Sequence, residues 1–262
     1  HVSLLAFKVS YSLTGDRGPN ISNSTAIISS TTPFRPFTSI QESGMQLYSL
    51  ENSELTYEKK NELNFGLDIG LLKNRINITM DYYTRNNHDL IGVTNTQGVG
   101  GETKKYANIA SMKSQGFELS VSSKNIQTKN FSWTTDFIYS TYKNEVTKLD
   151  AVASTMDYIS GTGFTMEGYP ARGLFSIKFA GLDKEGIPMF YNEKGEITQT
   201  DLSFQGGDDF SWLQYEGSID PTFTGSLGNS FTYKNFHLNV YLTYSGGNVV
   251  RLDPIFSAKY TD

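Results

Sequence analysis

The chain has 262 residues, a formal charge of -5 and no cysteine, which excludes disulfide frameworks, thiolate metal sites and cysteine nucleophiles. No apolar run approaches the roughly 20 residues of a membrane-spanning helix, and without a concentrated Lys/Arg patch there is no electrostatic footprint for nucleic acid. With 16 Tyr, 17 Phe and 24 Gly, the composition suits strands and tight turns and predicts an all-β fold.

Taken in chain order, the first strand runs from Val2 to about Leu13. The second lies within Glu58 to Leu71, where Leu63, Phe65, Leu67, Ile69 and Leu71 alternate with Glu62, Asn64, Gly66, Asp68 and Gly70. A strand sends these two sets to opposite faces, whereas a helix would scatter the apolar set around its whole circumference. After Leu72-Lys73-Asn74, the alternation of Ile76, Ile78, Met80 and Tyr82 with Asn77, Thr79 and Asp81 gives a hairpin partner. Phe117, Leu119 and Val121 mark a fourth strand. Phe131, Trp133, Phe137 and Tyr139 mark a fifth. Phe223, Leu227, Phe231 and Tyr233 then turn through Lys234-Asn235 into Phe236, Leu238, Val240, Leu242 and Tyr244.

The links alternate between short ones, near Lys73, Gln127 and Asn235, and long ones, at about 14–57, 88–110 and 147–216. Strict alternation places every long loop at one end of an antiparallel sheet, which is the asymmetry of outer-membrane barrels. Strands longer than the soluble norm fit an oblique bilayer crossing. Tyr57, Tyr82, Tyr83, Trp133, Tyr139, Tyr142, Tyr233 and Tyr244 near strand ends fit interfacial girdles. The expected lipid-facing set is Leu63, Phe65, Leu67, Ile69, Phe117, Leu119, Val121, Leu238, Val240 and Leu242. A polar lumen would be lined by Asn64, Asp68, Thr79, Asp81, Glu118, Ser120 and Asp136. An odd count of seven strands leaves two open edges, which hydrocarbon does not satisfy, so further strands are expected. His1 opens without an initiator Met or leader, and Tyr260-Thr261-Asp262 lacks a terminal aromatic. Both are read as signs of a partial chain.

Loop aromatics Tyr106, Tyr158, Phe175, Tyr191 and Trp212 are the candidate substrate contacts, able to stack on sugar faces or apolar side chains. The commoner role of such residues is to pack the loops themselves. His1, His88 and His237 are isolated and show no metal-ligand spacing. Asp183-Lys184-Glu185-Gly186 and Asp208-Asp209 do not match a calcium loop, and turn chemistry accounts for them. No nucleophile elbow is present. The chain is therefore read as a non-enzyme, with no catalytic residue, cofactor or metal.

Several short segments occur in an order that carries a resemblance. Asn52-Ser53-Glu54-Leu55-Thr56-Tyr57-Glu58 is followed by Asn64-Phe65-Gly66-Leu67-Asp68, Asn74-Arg75-Ile76 and Asp81-Tyr82-Tyr83. Ser114-Gln115-Gly116-Phe117-Glu118-Leu119, Phe131-Ser132-Trp133-Thr134-Thr135 and Lys143-Asn144-Glu145-Val146 come next. Gly168-Tyr169-Pro170, Gly181-Leu182-Asp183, Gly186-Ile187-Pro188 and Gly217-Ser218-Ile219-Asp220-Pro221 close the series. From about Asn52 onward the chain resembles the SusC/RagA-like TonB-linked transporters of Bacteroidetes. The resemblance implies that residues 1–262 are part of one transmembrane barrel of about 22 strands, with an N-terminal plug and the final strands absent. It implies a SusD-like surface lipoprotein over the mouth, TonB acting through the missing N-terminal part, and import of oligosaccharides or oligopeptides across the bacterial outer membrane. Two other readings remain open: a TonB-linked receptor for siderophores or vitamins, and a secreted all-β glycan-binding module.

Overall fold

Period-two sequences can bury one face only by pairing side by side, and the chain does so over most of its length. In the computed structural model, residues 2–17, 27–32, 43–49, 51–96, 98, 104–151, 153–161, 163–205 and 209–252 are described. His1, Asp208 and Tyr260-Thr261-Asp262, named above, lie outside them. In chain order the strands are β1 (Val2–Asp16), β2 (Ile27–Thr31), β3 (Gly44–Ser49), β4 (Glu58–Leu71), β5 (Ile76–Asn95), β6 (Lys104–Gln127) and β7 (Phe131–Leu149). A short helix α1 (Thr155–Ile159) follows, then β8 (Gly173–Ser176), β9 (Phe179–Leu182), β10 (Pro188–Tyr191), β11 (Ile197–Thr198), β12 (Gln214–Ser218), β13 (Phe223–Tyr233) and β14 (Phe236–Gly246).

Seven strands form one antiparallel sheet in the order β1-β4-β5-β6-β7-β13-β14. Each pairs with its predecessor in the sheet, so the wall is a meander interrupted by two insertions. One is the β2–β3 hairpin, and the other is the 150–222 segment carrying α1 and β8 to β12.

Register explains the two faces. Leu5, Ile69, Ile78, Val121, Phe137, Leu227 and Leu242 lie in one row across all seven strands. The next row of the same face holds Phe7, Leu67, Met80, Leu119, Tyr139, Gly225 and Tyr244. The intervening row, on the opposite face, holds Ala6, Asp68, Thr79, Ser120, Ile138, Ser226 and Thr243. Slipping any strand by one residue would exchange these sets.

The apolar belt drifts against this register. On β4 it spans Leu63 to Leu71 and on β14 it spans Phe236 to Tyr244. Leu67 aligns with Tyr244 and Leu71 with Val240, so both limits move by four residues over five strand steps. With ~3.4 Å per residue and ~4.8 Å between strands, a level belt lies about 30° off the perpendicular to the strands, so the strands tilt by about 30° from the barrel axis. That approaches the tilt that closing a sheet into a barrel demands.

The short links are laced together. Leu72, Lys73 and Asn74 take φ of 55°, 59° and 59°, a left-handed run that L-residues tolerate only when held. Here the Arg75 N–H donates to the Leu71 carbonyl at 3.0 Å, and Lys73 N–H donates to Ser3 Oγ at 2.7 Å. The Arg75 guanidinium donates to the Lys124 and Asn125 carbonyls at 3.1 and 2.8 Å. Lys234, at φ 52° in the β13–β14 turn, donates its N–H to the Asn130 carbonyl at 2.9 Å.

At the other end, pairing runs further than the alternation predicts. β5, β6 and β7 reach 20, 24 and 19 residues, while β13 and β14 have 11 each. Much of the segment read as a loop at 88–110 is therefore ladder, and residues 96–103 link the two strands. A bulge hides the continuation: the register shifts between Asn87 and Leu90 and again between Leu90 and Ile91, with Asp89 at φ 57°. The first shift adds a residue on β5 and the second one on β6, so the two strands are back in step at Ile91 and Asn108 while the alternation of each has been reversed.

Candidate functional site: the polar face and its overhang

The polar face carries paired charges, because a charge left alone on a wall would cost more than one matched across neighbouring strands. Lys8 pairs with Asp68 across β1 and β4. Glu62 receives both Lys60 at 2.8 Å and Arg85 at 2.7 Å, and the Arg85 guanidinium sits 4.0 Å from the Tyr83 ring centre. Of the predicted lumen set, Asn64, Asp68, Thr79, Asp81, Glu118, Ser120 and Asp136 all fall on this face. Lysine and arginine partners from this face were missed by the sequence reading, although Lys8, Lys60 and Arg85 share its parity.

The residues expected to meet lipid share the opposite face: Leu63, Phe65, Leu67, Ile69, Phe117, Leu119, Val121, Leu238, Val240 and Leu242. Tyr82, Trp133, Tyr139, Tyr233 and Tyr244 join them, while Tyr57 precedes β4 and is exposed. Tyr83 and Tyr142 do not. Both point to the polar face, where Tyr83 is buried against Gly116 and Tyr142 lines a cavity with Pro170 and Tyr215. Adjacent residues in a strand cannot share a face, so the pair Tyr82-Tyr83 had to split.

Above the belt, the polar face of β5 to β7 is overhung by the 150–222 insertion. Asn144 on that face accepts the Ala171 N–H at 2.7 Å, and Val146 exchanges backbone hydrogen bonds with Gly168 and Tyr169 at 2.8 and 2.9 Å. The insertion has its own core of Tyr158, Phe175 and Leu213, with Trp212 packed against it. Tyr158 meets Phe164 and Phe175 edge-on at 5.1 and 5.5 Å, and burial pushes its hydroxyl pKa up. Ser154 and Asp157 form a capping box that starts α1 and presents Tyr158 to this core. Three of the five candidate loop aromatics are thus brought together as packing. The other two stand apart: Tyr106 is exposed on β6, and Tyr191 ends β10 with Lys178 at 5.0 Å from its ring.

Two hairpin turns of the insertion use one device twice. Asp183 accepts the Glu185 and Ile187 N–H groups at 2.9 and 2.8 Å, with Gly186 at φ 81°. Asn192 accepts those of Lys194 and Glu196 at 3.0 and 2.8 Å, with Gly195 at φ 76°. The Ile187 N–H, with the Glu185 N–H and the Gln199 amide, holds the Asp183 carboxyl below its ordinary pKa. His88 lies in β5 opposite Lys59, and His237 meets Thr232 at 3.1 Å.

The segment before β4 clamps the extended ends of β5 and β6. Asn52 donates to the Tyr106 carbonyl at 2.6 Å. Asn108 bonds both the Thr56 N–H and carbonyl, at 2.8 and 2.9 Å, and donates to the Asp89 carbonyl at 2.6 Å. Glu58 accepts the Ile91 N–H at 2.8 Å. The bulge is therefore held by both neighbouring strands.

Comparison places this wall among known proteins. Residues 6–254 match the family described as TonB dependent receptor-like, beta-barrel. TonB-dependent receptor P3 of Formosa agariphila is 28% identical over 263 residues, covering 93% of this chain and 26% of that protein. TonB-dependent receptor SusC of Bacteroides thetaiotaomicron is 30% identical over 217 residues, covering 77% of this chain and 21% of that protein. The structure of the RagAB peptide transporter shares the fold with a TM-score of 0.75 at 24% identity, over 94% of this chain and 26% of that one. The chain spans about a quarter of the length of the curated relatives it matches. A seven-strand tilted wall that matches this family from Ala6 to Pro254 has one assignment: the chain belongs to the TonB dependent receptor-like β-barrels, as an outer-membrane barrel segment and not an enzyme.

Proposed function

We propose that this segment is part of the wall of a TonB-dependent importer that carries large nutrients, oligosaccharides or oligopeptides, across the outer membrane. The apolar face meets lipid, and the polar face meets the passage. A SusD-like surface lipoprotein covers the extracellular mouth, and TonB supplies the energy. The observation that carries this reading is the overhang. The insertion packs on the polar side of β5 to β7, so it stands over the passage rather than against lipid. Paired charges below it leave a hydrated surface for a polar solute. The likeness to SusC, and to a structure described as a peptide transporter, favours nutrients over iron chelates.

The test is genetic. Deleting the gene in its source bacterium should abolish growth on one class of oligosaccharide or peptide, and deleting TonB should give the same defect. A strain that keeps this growth but fails to use a siderophore or a vitamin would replace the proposal with the receptor reading.

A further inference from the structure

Two cavities open side by side on the polar face at the extracellular end, and they differ in chemistry. One, of about 360 Å³, is walled by Leu90, Ile109, Met112, Val146, Leu149 and Phe164. Ile109 and Val146 are themselves buried, so the apolar walls are rigid parts of the ladder. The other, of about 420 Å³, is lined by Thr14, Asp16, Glu58, Lys60 and Asn87. Leu90 borders both. The carboxamide oxygen of Asn87 is buried and has no hydrogen-bond partner among the described residues, an arrangement that awaits a donor.

A cavity near the small end of the ~300–1,000 Å³ range of ligand sites takes a single large side chain, not a protein surface. Sugar hydroxyls placed there would lose water and find few partners, since Ser111 and Thr165 are the polar side chains of that lining. An extended peptide supplies what both cavities lack: an apolar side chain, and on the same strand a backbone N–H for an unpaired acceptor. We propose that these cavities together form a subsite for an apolar residue of a peptide. The side chain enters the Leu90–Val146–Phe164 cavity while a neighbouring N–H donates to Asn87. This deepens the import reading and rests on it, since it makes the imported solute a peptide.

The test uses the full-length protein in detergent and isothermal titration with three probes. They are a short alanine–serine peptide carrying one leucine, the same peptide with serine in that place, and maltohexaose. The leucine peptide should bind at least about tenfold more tightly than the serine peptide, as a matched apolar pocket allows, and maltohexaose should not compete. Ala110→Trp, which fills the apolar cavity, should erase the leucine preference. Asn87→Leu should weaken both peptides several-fold while the preference survives. If Ala110→Trp does not assemble, Met112→Ser serves, and the preference should fall with it. A leucine preference untouched by these variants, or maltohexaose binding lost in Ala110→Trp, overturns the subsite. Cell uptake is scored separately. Uptake intact without a leucine preference removes the subsite and keeps import, whereas selective binding without uptake keeps the subsite and removes import.

Discussion

Tyr83 on β5 fills the space that a side chain on its β6 partner Gly116 would need. An aromatic ring laid over a cross-strand glycine restores contacts that the bare backbone lacks. A Cβ at Gly116 would also meet the Thr141 carbonyl at 2.8 Å, and that atom belongs to the β7 backbone. Gly116→Val should therefore destabilise the barrel by about 1–3 kcal/mol. Urea titration of the folded band on unheated gels measures it. If Tyr83→Ala in the same chain returns the full loss, the backbone clash plays no part.

The two faces make opposite predictions for one added charge. Leu67→Arg and Val121→Arg, in the belt, should each cost about 2–4 kcal/mol and lower the yield of assembled barrel. Ser120→Arg, one residue from Val121 and on the opposite face, should change stability by less than about 0.5 kcal/mol. Equal losses at positions 120 and 121 would remove the assignment of the faces.

Polar side chains on the apolar face survive by satisfying one another. Asn229 accepts the Trp133 indole N–H at 2.9 Å and the Thr135 hydroxyl at 2.8 Å, and Thr135 in turn accepts Asn125 at 2.7 Å. Asn229→Leu leaves two donors stranded and should cost about 1–2 kcal/mol. Adding Trp133→Phe, which removes one of the donors, should recover part of that loss in vesicle refolding titrations. Additive losses would show that no coupling exists.

Acid should loosen the β9–β10 turn. The Asp183 carboxyl is held below its ordinary pKa by N–H donors, chiefly that of Ile187, so its ionised form favours the folded turn. That contribution is complete above the unfolded carboxylate range and fades as pH falls through the lower folded value. Amide exchange at residues 183–187 should accelerate below about pH 4. Asp183→Asn, which keeps an acceptor but cannot titrate, should flatten the profile. Exchange that stays pH-independent in the wild type, after intrinsic rates are divided out, would contradict the assignment.

Strand identity and face were legible because Leu63 to Leu71 and Phe236 to Tyr244 repeat every second residue, and nothing but a ladder uses that period. Strand length was not. The bulge at Asn87 to Leu90 and another at Ser111/Met112 reverse the alternation without ending the pairing, so the pattern falls silent where the strands continue. Leu90 was missed for that reason, whereas Asn87 and Val146 keep the parity of the polar face up to the bulges. For the loop aromatics Tyr158 and Phe175 packing was legible as the commoner role but their partner was not, because nothing local to them announces the distant Leu213 they meet. The turns at Asp183 and Asn192 could be read directly, since a carboxyl or amide three residues before a glycine closes on its own backbone.

Among the described residues, the rim of the sheet at β5 and β6 is built of hydrogen-bonded strand. A relative with a taller or shorter rim must therefore gain or lose residues from β5 and β6 together to keep their pairing. One residue added to a single strand would spin the rim half a turn, carrying its wetted side to the outside. At Asn87 the step is taken on both strands, since β5 gains a residue before Leu90 and β6 one between Ala110 and Asn108, and the side chains of Asn108, Glu58 and Lys59 hold it in place.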